Sequence, residues 1–71
     1  MNVTKKKAEV TGRLLYPLVV GMPAYIKEED GILKTSRVVQ VDVVTAAQAS
    51  FETLNTNYCI HFKGGVQYER V

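Results

Sequence analysis

Ile32-Leu33-Lys34-Thr35-Ser36-Arg37-Val38-Val39-Gln40-Val41-Asp42-Val43-Val44 decides the fold, together with Ser50-Phe51-Glu52-Thr53-Leu54-Asn55-Thr56-Asn57-Tyr58-Cys59-Ile60-His61-Phe62, which follows a short connection. Val39, Val41 and Val43 alternate with Gln40 and Asp42, and Tyr58, Ile60 and Phe62 alternate with Cys59 and His61. A two-residue period built on β-branched and aromatic residues marks strands with one face in a core and the other in water. The register that follows buries Ala24, Ile26, Val39, Val41, Val43, Phe51, Tyr58, Ile60 and Phe62, and it exposes Gln40, Asp42, Glu52 and His61. A slip of one residue would turn a strand's whole set to the other face.

Upstream of this stretch, Ala8 and Val10 alternate with Lys7 and Glu9, which makes Lys6 to Arg13 a first strand with Gly12 placed for a bend or bulge. Leu14 to Val20 is apolar without a clear period; Pro17 interrupts it and Gly21-Met22-Pro23 ends it. Met22 to Glu29 reads as a strand with Ala24 and Ile26 on one face and Tyr25 and Lys27 on the other. Asp30-Gly31 is a hairpin signal of the type I′ kind, which needs positive φ at both central residues. The next strand then runs from Ile32 to Thr45, bent near Thr35-Ser36.

Downstream, Ala46 to Ala49 is too short for an independently stable helix and reads as a loop or a single helical turn. The strand pattern resumes from Ser50 to Leu54, Asn55-Thr56-Asn57 suits a tight turn or bulge, and Tyr58 to Phe62 is another strand. Gly64-Gly65 reads as a second hairpin turn and Val66 to Val71 as a last strand. Five to six short antiparallel strands with turns at this spacing predict an all-β small barrel or roll, whose closure would remove aggregation-prone edges.

The 71 residues read as one small β-barrel domain, with residues 1–6 as a flexible arm. A domain of this size buries only about 60% of its unfolded surface, and such a core supplies ~3–5 kcal/mol. The single cysteine, Cys59, rules out an internal disulfide, and Cys59 with His61 alone falls short of a four-ligand zinc site. The expectation is therefore no metal and no cofactor. No apolar run of signal-peptide length follows the basic N-terminus, so the chain reads as cytoplasmic, and Asn2-Val3-Thr4 as an accidental glycosylation match. A net charge of +2 is modest for a dedicated nucleic-acid binder, and Lys5-Lys6-Lys7 is the one basic run.

Three segments, Gly21-Met22-Pro23-Ala24, Lys34-Thr35-Ser36-Arg37-Val38-Val39 and Glu52-Thr53-Leu54-Asn55-Thr56-Asn57-Tyr58, together resemble a pattern of small SH3-like β-barrel proteins of phages and mobile elements. The resemblance spans residues 20 to 62 and implies an SH3-like barrel. It carries no active-site residue onto this chain, and most such proteins have no assigned activity. The resemblance also implies a context, that of a compact accessory protein that blocks a host protein or sequesters a nucleotide signal.

Little in the chain suggests catalysis. Cys59 and His61 share a strand face, but their backbones lie roughly 6.5–7 Å apart, an awkward spacing for a nucleophile–base contact, so both are expected to do no chemistry. Ser36 lacks a nucleophile-elbow context, and its neighbourhood of hydroxyls suits backbone groups at a strand bend. Glu28, Glu29 and Asp30 fall together at a solvated hairpin tip. The leading expectation is a non-enzymatic binding module for a protein partner or for itself. Tyr25, Arg37 and Tyr68 are its candidate contacts, and Lys5, Lys6 and Lys7 are candidates for anionic partners. A nucleic-acid or nucleotide-signal binding protein is the alternative. Val38, Val44 and Leu54 fall on the outer phase and mark a self-association patch for a homodimer.

Overall fold

The computed structural model describes residues 5–69 of the chain. It is all-β: β1 (Lys6–Leu14), β2 (Pro23–Glu28), β3 (Gly31–Arg37), β4 (Gln40–Val44), β5 (Gln48–Glu52) and β6 (Thr56–Phe62), followed by a short 3-10 turn at Lys63–Gly65. The strands form one open mixed sheet in the order β3-β2-β1-β6-β5-β4. Among the described residues no helix is long and apolar enough to cross a membrane.

The stretch from Ile32 to Thr45 is not one strand. It breaks at Val38-Val39 into β3 and β4, which lie at opposite ends of the strand order. The backbone changes partners across this single step. Val38 N–H donates to the Met22 carbonyl and Val38 C=O accepts from Gly21 N–H, whereas Val39 N–H donates to the Glu52 carbonyl. The chain therefore leaves the β2 side of the sheet at Val38 and joins the β5 side at Val39.

That step reverses nothing, and strand parity follows from it. The chain turns back between β1 and β2, β2 and β3, β4 and β5, and β5 and β6, but it runs straight on from β3 to β4. An even number of reversals brings β6 home pointing the same way as β1. The two pair in parallel, from Lys6↔Thr56 to Gly12↔Phe62, so the expected wholly antiparallel sheet is corrected to a mixed one.

Val38 and Val39 also correct the register. Val38 is 1% exposed and belongs to the core, not to a self-association patch, while Val39 is 46% exposed. Val43, 48% exposed, is displaced by a second irregularity: Val41 faces Phe51 but Val43 faces Ser50, so Asp42 is an extra, bulged residue. A bulge shifts the alternation by one, and the run Val39-Val41-Val43 loses its common face. The other inward assignments hold. Ala24, Ile26, Phe51, Ile60 and Phe62 are buried, and Val41 and Tyr58 pack partly buried against them. Gln40, Asp42 and His61 are exposed and Glu52 is half-buried. The core is completed by Val10, Leu14 and Ala49, and the registered pair Phe51 and Tyr58 stack with ring centroids 5.0 Å apart.

β1 serves both halves of the sheet. Lys6 to Gly12 pair with β6, and Arg13 and Leu14 pair with β2. At the handover the β2 backbone comes so close that a Cβ on Gly12 would collide with the Lys27 carbonyl oxygen and press on Ile26 Cγ2 at 3.2 Å. Between β2 and β3 the register slips, with Tyr25 facing Lys34 and Pro23 facing Arg37. Buried Thr35 fills the gap in the ladder: its Oγ1 accepts from Ala24 N–H at 3.0 Å and donates to the Ser36 carbonyl. This is the strand bend that the hydroxyl cluster signals.

The connections differ in detail from the sequence reading. The β2–β3 hairpin turns on Glu29-Asp30, with Glu28 facing Gly31; only Gly31 has positive φ, 151°, so the turn is not type I′. Of the two readings for Ala46 to Ala49, the loop holds for Ala46 and Ala47 and the helical turn does not: the Thr45 hydroxyl accepts from Ala47 and Gln48 N–H, and β5 already begins at Gln48. Gly64-Gly65 is no hairpin turn, and no regular strand follows it among the described residues. Gln67 C=O and Glu69 N–H bond the two sides of Leu14, a single parallel bridge at Tyr68. Residues 70 and 71 of the expected last strand lie outside the described residues.

Val38→Ala should cost about 2 kcal/mol by loss of burial and cavity formation. Val39→Ala, on the exposed side of the same step, should stay within about 0.5 kcal/mol. Equal losses in denaturant titrations would contradict the sheet transfer at this dipeptide. Gly12→Ala should cost ~1–3 kcal/mol through forced backbone displacement.

Candidate functional site

Leu15 to Met22, the apolar segment without a period, folds into a loop beside β2 and β3. Leu15 N–H donates to the Tyr25 carbonyl at one end, Gly21 and Met22 bond the two sides of Val38 at the other, and Leu18 packs against the core. Between this loop and the strands lies an apolar groove of about 750 Å³ lined by Tyr16, Pro17, Met22, Tyr25, Ile32 and Lys34 among others. Its volume falls in the range of specific ligand sites. Tyr16 meets Tyr25 edge-on at 5.6 Å between centroids, and Lys34 Nζ sits 5.8 Å from the Tyr25 ring centroid. Tyr16, Val19, Met22 and Ile32 are all more than half exposed. The groove runs beside β3, one end of the strand order, and Lys34 is its one charged lining residue.

Of the candidate contacts, Tyr25 lies in this groove. Arg37 is exposed at the end of β3, and Tyr68 is exposed at the bridge to Leu14, neither of them lining it. Tyr16 was not singled out from the sequence. Its signal was an aromatic beside proline in an apolar stretch with no period to place it in the core.

The basic run is dispersed. Lys5 is neither free nor part of a loose arm: its Nζ donates to Glu52 Oε1 and to the Thr53 carbonyl, both at 3.0 Å. Lys6 and Lys7 are the first residues of β1, paired with Thr56 and Asn57. Successive strand residues point to opposite faces, so these lysines form no single cationic surface. Residues 1–4 of the expected arm lie outside the described residues. Val44 and Leu54 are exposed as expected, but they flank opposite ends of β5, at the turns before and after it.

Cys59 and His61 do approach each other. Their side chains lean together so that Sγ lies 3.8 Å from Nε2, closer than the backbone spacing suggested. Parallel pairing sets Glu9 beside Cys59 and Thr11 beside His61, and Glu9 Oε1 stands 3.1 Å from the same Nε2. The three donor atoms lie within 4.8 Å of one another. A catalytic relay needs the nucleophile on one ring nitrogen and the orienting carboxylate on the other. Here both converge on Nε2, which is not a relay.

No known protein family matches the chain, and no curated protein or solved structure is significantly similar to it.

The double variant Cys59→Ser, His61→Asn should keep its stability within about 0.5 kcal/mol of the parent, since the cluster sits on the solvent face. A larger loss in thermal denaturation would mean that these contacts help hold β1 to β6.

Proposed function

We propose that the chain is a non-enzymatic binding module of the SH3-like barrel type that captures an extended apolar segment of a partner protein. The observation that carries this reading is the groove of Tyr16, Tyr25 and their apolar neighbours beside the end strand β3. Aromatic-lined grooves hold extended peptides, and a strand at a sheet's end can add main-chain bonds to them. Lys34, the one charged group in the lining, favours an acidic side chain in the partner. The straight passage from β3 to β4 at Val38-Val39, between opposite ends of the strand order, and the sharing of β1 between β2 and β6 support the barrel-like description. The resemblance to phage and mobile-element proteins suggests a host protein as the target. Nucleic acid is the weaker reading, because the lysines are dispersed and one of them is paired.

Selection from a displayed library of random peptides tests the proposal. Extended apolar peptides with an acidic residue should be enriched. Tyr16→Ala should weaken them about fivefold or more, the size of a hot-spot loss, and Lys34→Glu should remove the acidic preference. Enriched peptides that bind both variants like the parent would overturn the groove as the site. Steeply salt-dependent retention on heparin would favour a polyanionic partner instead.

Self-association has separate support along β4, the other end of the strand order, where Val43 and Val44, with Val39 just before the strand, are exposed. Apolar edge strands are templates for pairing with a second copy, and charge on the edge blocks it. Light scattering over a concentration series should show a dimer that Val43→Lys returns to monomer. A constant monomer mass in the parent would contradict this reading.

A further inference from the structure

We propose that Glu9, Cys59 and His61 form a binding site for a divalent transition-metal ion of the zinc type on the solvent face of the β1–β6 pair. Two donors at i and i+2 of one strand and a third on its neighbour all rise from one sheet face. Around a tetrahedral ion with bonds of about 2.0–2.3 Å, donor atoms lie roughly 3.3–3.6 Å apart. The Nε2–Oε1 and Nε2–Sγ separations of 3.1 and 3.8 Å bracket that value, and all three atoms fall within 4.8 Å.

The present arrangement is itself what a cation would improve. Oε1 and Sγ both crowd the same ring nitrogen, which shares at most one hydrogen with them whichever tautomer holds. An ion between the three satisfies every donor at once, with the Cys59 thiol proton passing to solvent as the thiolate binds. The donor set of one sulfur, one nitrogen and one carboxylate oxygen selects Zn²⁺ or Co²⁺ over Mg²⁺ or Ca²⁺, which take oxygen ligands. Glu9 and His61 are exposed, so the fourth position of the tetrahedron faces water. The cleft alongside is lined by Asp42, a further carboxylate, and by Lys7, which opposes a cation. Asn57 lines the same cleft, and its side-chain oxygen is buried without a hydrogen-bond partner.

Titration of the reduced full chain with Co²⁺ is the test. One equivalent should produce a thiolate-to-cobalt charge-transfer band in the near ultraviolet and intense visible bands of a tetrahedral site. Zn²⁺ should abolish both, and excess Mg²⁺ should change neither. Cys59→Ser should lose the charge-transfer band. Glu9→Gln and His61→Asn should each weaken Co²⁺ binding at least about tenfold, the lower end of what loss of even an outer-shell partner costs. Circular dichroism checks that each variant keeps its fold. The proposal fails if the parent shows no charge-transfer band, or if the band persists with unchanged affinity in Glu9→Gln and His61→Asn, which would mark an adventitious thiol–metal contact. Saturation at half an equivalent would also overturn it, since the ion would then join two chains.

Discussion

The transfer of the backbone from one half of the sheet to the other at Val38-Val39 is the constraint on which the rest of the structure depends. Within two residues the chain bonds Gly21 and Met22 on one side and Glu52 on the other, and it drives the Val38 side chain into the core. The same step sets the direction of every later strand. It also anchors the loop that forms one wall of the Tyr16–Tyr25 groove, because that loop's last bonds are to Val38. Core, topology and groove thus share one dipeptide.

Two consequences for function follow from strand parity and bulges. Parallel pairing of β1 with β6 is what sets Glu9 level with Cys59. In an antiparallel pair, the same two strands would run their polar residues past one another in the opposite order. The bulge at Asp42 turns Val43 outward and leaves β4 with an apolar edge. At the register shift between β2 and β3 the Ala24 amide is still satisfied, by the side-chain oxygen of Thr35. Departures from ideal strand geometry therefore lie where the sheet changes partners or meets its surroundings.

Much of the fold was legible in local pattern. Ala24 and Ile26 in β2, Val10 in β1, and Ile60 and Phe62 in β6 obey a clean two-residue period and are buried as that period requires. The alternation failed between residues 38 and 43, where a partner change and a bulge each shift the phase, and neither has a glycine or proline to announce it. The parallel pair was not legible because parity depends on whether residues 38–39 turn back or run on, and Val-Val is equally at home in an extended step. Tyr25 could be nominated as an outward aromatic, but Tyr16 joins it through a loop whose path no local period describes. Glu9 lies 52 residues from His61, so only the strand order makes them neighbours.

Nuclear Overhauser spectroscopy between β1 and β6 tests the topology most directly. Parallel pairing predicts contacts in one consistent forward order, Ala8 with Tyr58, Val10 with Ile60 and Gly12 with Phe62, without the short Hα–Hα contacts of antiparallel strands. Strong Hα–Hα cross-peaks between these strands, or contacts running in the reverse order, would contradict it, and the straight passage from β3 to β4 would fall with them.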